Sequence, residues 1–218
     1  MFGLGDDWLL ERFLFLLPLI LSVTVHEWAH AWSAWRLGDD TAHRQGRVTL
    51  DPLQHIDPLG TFLLPLLGVP FGWAKPVPIN PGGFRRDVGL RSGLLLTAAA
   101  GPAANVCLAL VAASAMGLAA RVHPAWIVGP NGYRALLEQF IFLNVLLASF
   151  NLLPIPPLDG SRIVDCFVPD KWRSGWDRAA TLSPLLLGAA LILPLFVGVQ
   201  LYEAPLMWTS QLTAFVLP

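Results

Sequence analysis

The sequence predicts an all-α polytopic membrane protein, in which a three-helix core is followed by further C-terminal membrane segments and a small membrane-embedded β region follows the first helix. Of the 218 residues, 55% are hydrophobic and only 13% are charged, whereas a soluble domain has about 25% charged residues. The apolar residues fall in long runs, as bilayer-spanning helices require. The formal net charge of −1 indicates no basic surface, so no nucleic-acid partner is expected.

The first helix is predicted over residues 9–36. Between Phe13 and Trp35 the only ionisable side chains are those of His26, Glu27 and His30. At 1.5 Å per residue this run is long enough to cross about 30 Å of hydrocarbon.

Residues 41–90 have a different composition, rich in Gly, Pro and Asp. The apolar stretch 59–72 is short for a spanning helix and is interrupted by prolines. Polar, extended backbone is tolerated at membrane depth only where it is buried in protein or lines a wet cavity. We therefore expect an embedded β or re-entrant region that borders the functional site.

The remaining chain is expected to complete a single domain, residues 1–218. The predicted elements are a helix over 92–120, a helix over 134–153, a loop over 154–160, a charged loop over 161–178, a helix over 179–201 and a short apolar segment, interfacial rather than spanning, over 205–218.

Residues 26–30 read His26-Glu27-Trp28-Ala29-His30, which is the H-E-x-x-H pattern. In a helix the two imidazoles lie one turn apart on the same face, so both can bind one metal ion. The glutamate beside them can act as general base on a metal-bound water. Alone the pattern often arises by chance, but ionisable groups inside an apolar span are costly and indicate function.

A catalytic zinc site has three protein ligands and an open position, so a third ligand must come from elsewhere. His43 and His55, in the region 41–90, are candidates. Asp159 is the best placed, because it follows a proline-rich break at the end of a predicted membrane helix. Gly160, next to it, permits a tight backbone.

Helix order favours Asp159. The two histidines lie in the C-terminal half of the first helix, and Asp159 follows the C-terminal end of the helix 134–153. For these side chains to lie at the same depth in the membrane, the two helices must run in the same direction. The helix 92–120 supplies the single crossing between them, provided that the stretch 59–72 is re-entrant.

The distribution of positive charge predicts the orientation. Eleven of the fourteen Lys and Arg residues fall within 31–91 and 160–178, on the side of the H-E-x-x-H pattern. Cytoplasmic loops carry an excess of these residues. We therefore expect a multi-pass protein of the plasma (inner) membrane with its site towards the cytoplasm.

The chain resembles the site-2 protease family of intramembrane zinc metalloproteases. Four motifs in order carry the resemblance: His26-Glu27-Trp28-Ala29-His30, Gly72-Trp73-Ala74-Lys75-Pro76-Val77-Pro78, Gly101-Pro102-Ala103-Ala104-Asn105, and Asn151-Leu152-Leu153-Pro154-Ile155-Pro156-Pro157-Leu158-Asp159-Gly160. Together they cover roughly residues 13–165. The likeness is to a compact member of the family, without the PDZ or CBS domains of the larger ones.

The resemblance implies one Zn²⁺ held by His26, His30 and Asp159, with Glu27 as the catalytic base. It also implies that Asn151 helps to hold the scissile carbonyl or its oxyanion. The expected function is intramembrane endopeptidase activity on single-span membrane proteins within the lipid bilayer, that is, regulated intramembrane proteolysis. A regulatory membrane partner or a homo-oligomer stays open.

One alternative from a different class is a metal or proton transporter, or a non-catalytic metal-binding scaffold, because intramembrane His and carboxylate clusters also mark ion pathways. Glu27 discriminates between them: a transporter could use it as a ligand, whereas a protease needs it as a base off the metal. Asn105 and Asn144 are open between interhelical hydrogen bonding and a site role.

Overall fold

The computed structural model describes residues 8–67, 73–128, 133–183, 185–189 and 203–217. Its α-helices are labelled in chain order as α1 (Trp8–Arg36), α2 (Thr41–Arg44), α3 (Leu64–Leu66), α4 (Leu90–Val122), α5 (Pro124–Val128), α6 (Arg134–Asn151), α7 (Asp159–Asp165), α8 (Asp170–Thr181) and α9 (Glu203–Val216). Residues 185–189 are also helical.

Two of these helices are long and apolar enough to cross a membrane. They are Leu14–Arg36, with 23 residues, and Leu90–Val122, with 33 residues. The third core helix, α6, has 18 residues, close to the shortest span that a bilayer accepts. The described residues are thus largely helical and include two candidate spans, and the predicted number of crossings is not confirmed.

Contacts between α1 and α4 run in opposite senses along the two helices. The Asn105 side chain donates to the carbonyl of Ser22 and also bonds His26, one turn later in α1. His30, a further turn on, bonds the carbonyl of Thr97, two turns earlier in α4. The two helices are therefore antiparallel.

Helix α6 follows the direction of α1. Asn144 of α6 bonds Ser22, and Asp159, just beyond α6, lies beside His30. An apolar core lies between α4, α5 and α6, with Leu212 and Val216 of α9 packed against it. Its buried side chains are those of Ala109, Ala112, Ala113, Met116, Ala120, Ile127 and Ile141. The alanines allow the close helix approach that is typical of membrane bundles.

The predicted β region is not confirmed. In the described part of 41–90, which lacks 68–72, the backbone forms α2, α3, single 3₁₀ turns at Pro52–Gln54 and Pro81–Gly83, a π-helical turn at Pro58–Leu63 and extended stretches, with no β-strand. Three of these turns begin with a proline after a capping residue, Asp51, Asp57 or Asn80, whose side chain accepts a backbone N–H. Proline favours the first position of a helical turn and cannot donate to a β-ladder.

The C-terminal part corrects a second prediction. Residues 161–178 were expected to be a charged loop, but they lie largely in α7 and α8. Apolar side chains at Trp172, Trp176 and Ala179 recur at the spacing of one helix face, although charges surround them. The predicted helix 179–201 falls mainly outside the described residues. The segment 205–218 lies largely in α9, which packs on α4 and α6.

Candidate metal centre

Three buried side chains converge where α1, α4 and α7 meet. His26 and His30 project from one face of α1, and Asp159 is the first residue of α7. The two Nε2 atoms lie 3.1 Å apart, and each lies 3.2 Å from Asp159 Oδ2. In the described residues these are the side chains that could together hold a metal ion.

The hydrogen bonds of the two imidazoles show that this cluster suits a cation. His26 Nδ1 donates to Asn105 Oδ1 at 2.6 Å, and His30 Nδ1 donates to the carbonyl of Thr97 at 2.7 Å. Because both partners can only accept, each Nδ1 carries the proton and a neutral ring leaves a lone pair on Nε2. Two such lone pairs and a carboxylate oxygen therefore face one another.

The spacing of these atoms also suits zinc. Bonds of about 2.0–2.2 Å to tetrahedral Zn²⁺ put neighbouring ligand atoms about 3.3 Å apart, close to the observed 3.1 and 3.2 Å. Three protein ligands leave one tetrahedral position for water or substrate, as in catalytic zinc sites. The residues present thus fit the ion.

A buried polar network holds His26 through Nδ1, the ring nitrogen that does not face the other metal-binding atoms. Asn105 and Asn144 are fully buried. Asn105 Nδ2 donates to Asn144 Oδ1 at 2.8 Å, and Asn144 Nδ2 donates to Ser22 Oγ at 2.8 Å. The network links all three core helices and ends on the Nδ1 proton of His26. Such outer hydrogen bonds hold the tautomer and orientation of metal-binding histidines, which gives Asn105 a role at the site.

Gly101 lies directly against the two imidazoles. A Cβ on this residue would come 2.7 Å from His26 Nε2 and closer still to His30 Nε2. No side chain can occupy this position without filling the space where the ligand atoms converge. The Gly of the Gly-Pro-Ala-Ala-Asn motif is therefore a steric requirement of the site.

The turn that carries Asp159 closes against the end of α6. A Cβ on Gly160 would overlap the carbonyl groups of Leu152 and Leu153. This close approach explains why residue 160 is a glycine and agrees with the tight backbone predicted there. It also brings α7 back towards α1. Asp159, 7% exposed, thereby reaches the two histidines.

Glu27 stands apart from the three converging atoms. Its Oε2 accepts the backbone N–H of Val77 at 3.2 Å. Val77 belongs to the extended stretch 73–80, which passes beside α1. Glu27 is thus held by the segment 41–90 rather than by the helix bundle.

The other candidate residues lie outside the cluster. His43 is exposed and stacks on Trp35 with ring centroids 5.1 Å apart. His55 is fully buried, its Nε2 donates to the carbonyl of Thr49 at 2.8 Å, and burial lowers the pKa of its ring. Asn151, the last residue of α6, donates from Nδ2 to the carbonyl of Leu147, and its predicted contact with a substrate stays a prediction.

Arg47 is a polar residue near the site that the sequence did not single out. It is 3% exposed and donates to the carbonyls of Lys75 and Pro76. Nothing in the local sequence distinguishes it from other arginines of the region. Asn105, by contrast, had a signal: it lies one helical turn after Gly101, on the same face.

Comparisons with known proteins agree with this geometry. The model of peptidase family M50 matches residues 122–193. The chain is 38% identical over 199 residues to "Putative zinc metalloprotease YwhC" of Bacillus subtilis (strain 168), a match that covers 85% of this chain and 87% of that protein.

A similarly described protein, Rip2 of Mycolicibacterium smegmatis (strain ATCC 700084 / mc(2)155), is 36% identical over 148 residues. That match covers 65% of this chain and 52% of Rip2, so the chain spans about half the length of this relative. No solved structure matches the chain.

Proposed function

The chain belongs to peptidase family M50, the site-2 protease family of membrane zinc metalloproteases, and from that premise we propose that it cleaves peptide bonds in or near transmembrane segments of other membrane proteins. As a member of this family it is a zinc metallopeptidase. The proposal concerns where it cuts, which residues act, and how the site faces the membrane.

One observation carries the proposal. Three metal-binding atoms converge within 4.8 Å of one another on and beside the candidate span α1, and Glu27 lies next to them in sequence without joining them. A base beside an open three-ligand site is the arrangement that hydrolysis requires.

In the proposed reaction His26, His30 and Asp159 hold the zinc ion. The bound ion supplies a Lewis acid and lowers the pKa of a bound water towards about 7. Glu27 uses Oε1, the carboxylate oxygen that Val77 leaves free, to take a proton from the attacking water. The water oxygen bonds the peptide carbon, the C–N bond breaks, and Glu27 returns the proton to the leaving amine.

The substrate must present an unwound peptide bond, because helical carbonyls are already hydrogen-bonded and shielded. We propose that the extended stretch 73–80 binds the unwound segment by strand addition. Pro76 and Pro78 lack N–H groups, so this stretch would mainly accept hydrogen bonds from the substrate. Asn151, with Oδ1 and one amide proton not used by Leu147, is proposed to hold the scissile carbonyl.

The transporter and scaffold alternatives have less support. A transporter could use Glu27 as a fourth metal ligand, but its Oε2 is bonded to the Val77 amide and it stands outside the cluster. This arrangement favours a base over a ligand.

The site is proposed to face the cytoplasm, in a multi-pass protein of the plasma membrane. The excess of Lys and Arg in 31–91 and 160–178 supports this orientation. The stretch 73–80 contacts Glu27 through the Val77 amide and includes the exposed Lys75, so it is the proposed route for water. The proposed partner is a single-span membrane substrate, and a regulatory partner or a second copy of the chain remains an open proposal.

The test compares wild type, Glu27→Gln and Asp159→Ala in detergent, measuring zinc content and cleavage of a single-span helix that carries a fluorescence donor–acceptor pair. Glu27→Gln should retain zinc and lose about 10²–10⁴-fold in cleavage rate, the usual contribution of a general base. Asp159→Ala should lose most of its zinc. If Glu27→Gln cleaves as wild type does, Glu27 is not the base; if wild type binds zinc and cleaves no membrane substrate, the scaffold alternative gains.

A further inference from the structure

Arg47 is a buried cation that bonds the backbone of the stretch 73–80. Its Nη2 donates to the Lys75 carbonyl at 2.6 Å, and its Nη1 donates to the Pro76 carbonyl at 3.4 Å. Among the described residues no carboxylate forms an ion pair with it. A buried charge costs several kcal/mol unless neighbouring dipoles or charges compensate it, so a structural or functional reason must retain it.

The carbonyl of Pro76 and the N–H of Val77 belong to the same peptide group. The only cis peptide in the described residues joins Pro156 to Pro157, so this peptide is trans and its C=O and N–H point in opposite directions. Arg47 binds the carbonyl end and Glu27 Oε2 accepts from the N–H end, at 3.2 Å. One peptide group therefore connects a buried guanidinium to the carboxylate beside the metal ligands.

The same stretch is fixed at two further points. The Lys75 N–H donates to the His55 carbonyl at 2.9 Å. Val77, 7% exposed, packs with Ala31 and Ala42. The Val77 amide thus has little freedom to move while Arg47 remains in place. Hydrogen bonds in such a series also polarise one another, which strengthens the bond to the carboxylate.

We propose that Arg47 is a positioning residue for Glu27. It holds the Pro76–Val77 peptide so that the Val77 N–H fixes Glu27 Oε2 and leaves Oε1 directed at the attacking water. The inference rests on the proposed role of Glu27 as base. It predicts an effect on the chemical step, since Arg47 bonds the stretch that holds Glu27 and none of the three metal-binding side chains.

The test removes, one at a time, the two hydrogen bonds made by the Pro76–Val77 peptide group: that from Arg47 and that to Glu27. Arg47→Met keeps the side-chain length but loses the donors, and Val77→Pro removes the N–H in an extended position already flanked by prolines. Val77→Ala loses similar side-chain packing but keeps the N–H, so it is the matched control. All variants are purified as the full chain, and zinc content, thermal unfolding, kcat and KM for the fluorescent single-span helix are measured.

Arg47→Met and Val77→Pro should each lower kcat about 10-fold, as expected for a hydrogen bond to a charged group, with zinc content unchanged and a smaller change in KM, which reflects the proposed substrate contact of the stretch 73–80. The double variant should be no slower than the worse single variant, because both changes break the same connection. Arg47→Lys should restore part of kcat, and Val77→Ala, which keeps the N–H, should lose less kcat than Val77→Pro.

Three results would overturn the proposal. The kcat losses of the two single variants could multiply in the double variant, Arg47→Met could keep the wild-type kcat, or Val77→Ala could lose as much kcat as Val77→Pro. If Arg47→Met does not fold, Arg47→Lys takes its place in the double-variant comparison. An active Glu27→Gln would refute the proposed function itself, whereas an inactive Glu27→Gln beside fully active Arg47 variants would refute only the role of Arg47.

Discussion

The bundle of α1, α4 and α6 and the segment 41–90 satisfy their buried polar groups in different ways. In the bundle, three hydrogen bonds between side chains link the helices: His26 to Asn105, Asn105 to Asn144, and Asn144 to Ser22. Helical N–H groups are already paired internally, so polar side chains there bond one another or helix carbonyls, as His30 bonds that of Thr97. These bonds hold the two histidines in fixed orientations.

In and just before the segment 41–90, side chains bond irregular backbone. The Asp39 carboxylate accepts from the N–H groups of Thr41 and Asn80, Asp57 accepts from those of Leu59 and Gly60, and Arg47 donates to carbonyls. Irregular backbone has no internal ladder, so each buried N–H or C=O needs such a partner. The bundle thus places the two histidines of the candidate metal centre, and the segment places Glu27, the proposed base.

The largest effect that this division predicts comes from Gly101→Ala, inside the bundle. The added methyl would lie between the two imidazoles, so we expect zinc affinity to fall by more than the 10–100-fold that is usual for outer-shell changes. Zinc titration of the purified apoprotein measures the loss.

Gly175 is the matched control, because it lies within α8 and a Cβ there would meet no atom within 4 Å. Gly175→Ala should leave zinc affinity unchanged and raise stability by up to about 1 kcal/mol through helix propensity. Equal zinc affinity in the two alanine variants would show that Gly101 does not define the space of the site.

The second effect separates Asn105 from Asn144. Asn105→Leu leaves the Nδ1 proton of His26 without its acceptor, so we expect a loss of about 10–100-fold in zinc affinity. Asn144→Leu retains the His26–Asn105 bond and should mainly lower thermal stability. Zinc titration and thermal unfolding of both variants check this, and equal losses of zinc affinity would mean that the network acts only through packing.

The contrast between the regions also explains what the sequence could predict. In α1 a histidine or glutamate stands out against an apolar run, and the helical period places His26 and His30 on one face without further information. Helix order favoured Asp159 over His43 and His55, because the number of membrane crossings sets the depth of each helix end, and the family resemblance implied the full ligand set. The bounds of α1, α4 and α6 agree with the predicted helices to within two residues.

The segment 41–90 resisted the same reasoning. Its prolines argued against regular helix and favoured an extended or re-entrant region, whereas Pro52, Pro58 and Pro81 begin helical turns behind a capping side chain. Arg47 could not be found because its partners are carbonyls, which any residue carries and no sequence pattern marks. The helical face of α8 was not recognised because charged residues lie on both sides of Trp172 and Trp176, namely Asp170, Lys171, Arg173, Asp177 and Arg178.

The smallest predicted effect concerns His55, in the segment. Burial lowers the pKa of His55 below its usual 6.5, and the nearby Arg47 charge lowers it further, although the Thr49 carbonyl favours the charged ring. As the pH falls below about 6.5, the His55 ring therefore binds a proton in the unfolded chain but not in the folded chain. The stability that the neutral, buried ring contributes is complete above that pH and is lost as the pH falls towards the folded pKa. The loss is up to about 1.4 kcal/mol per pH unit. His55→Gln can keep a donor to the Thr49 carbonyl but cannot titrate, so its Tm in detergent should fall less than that of wild type between about pH 7 and about pH 5. A wild-type slope in His55→Gln would mean that the folded segment accepts a charged ring at this position.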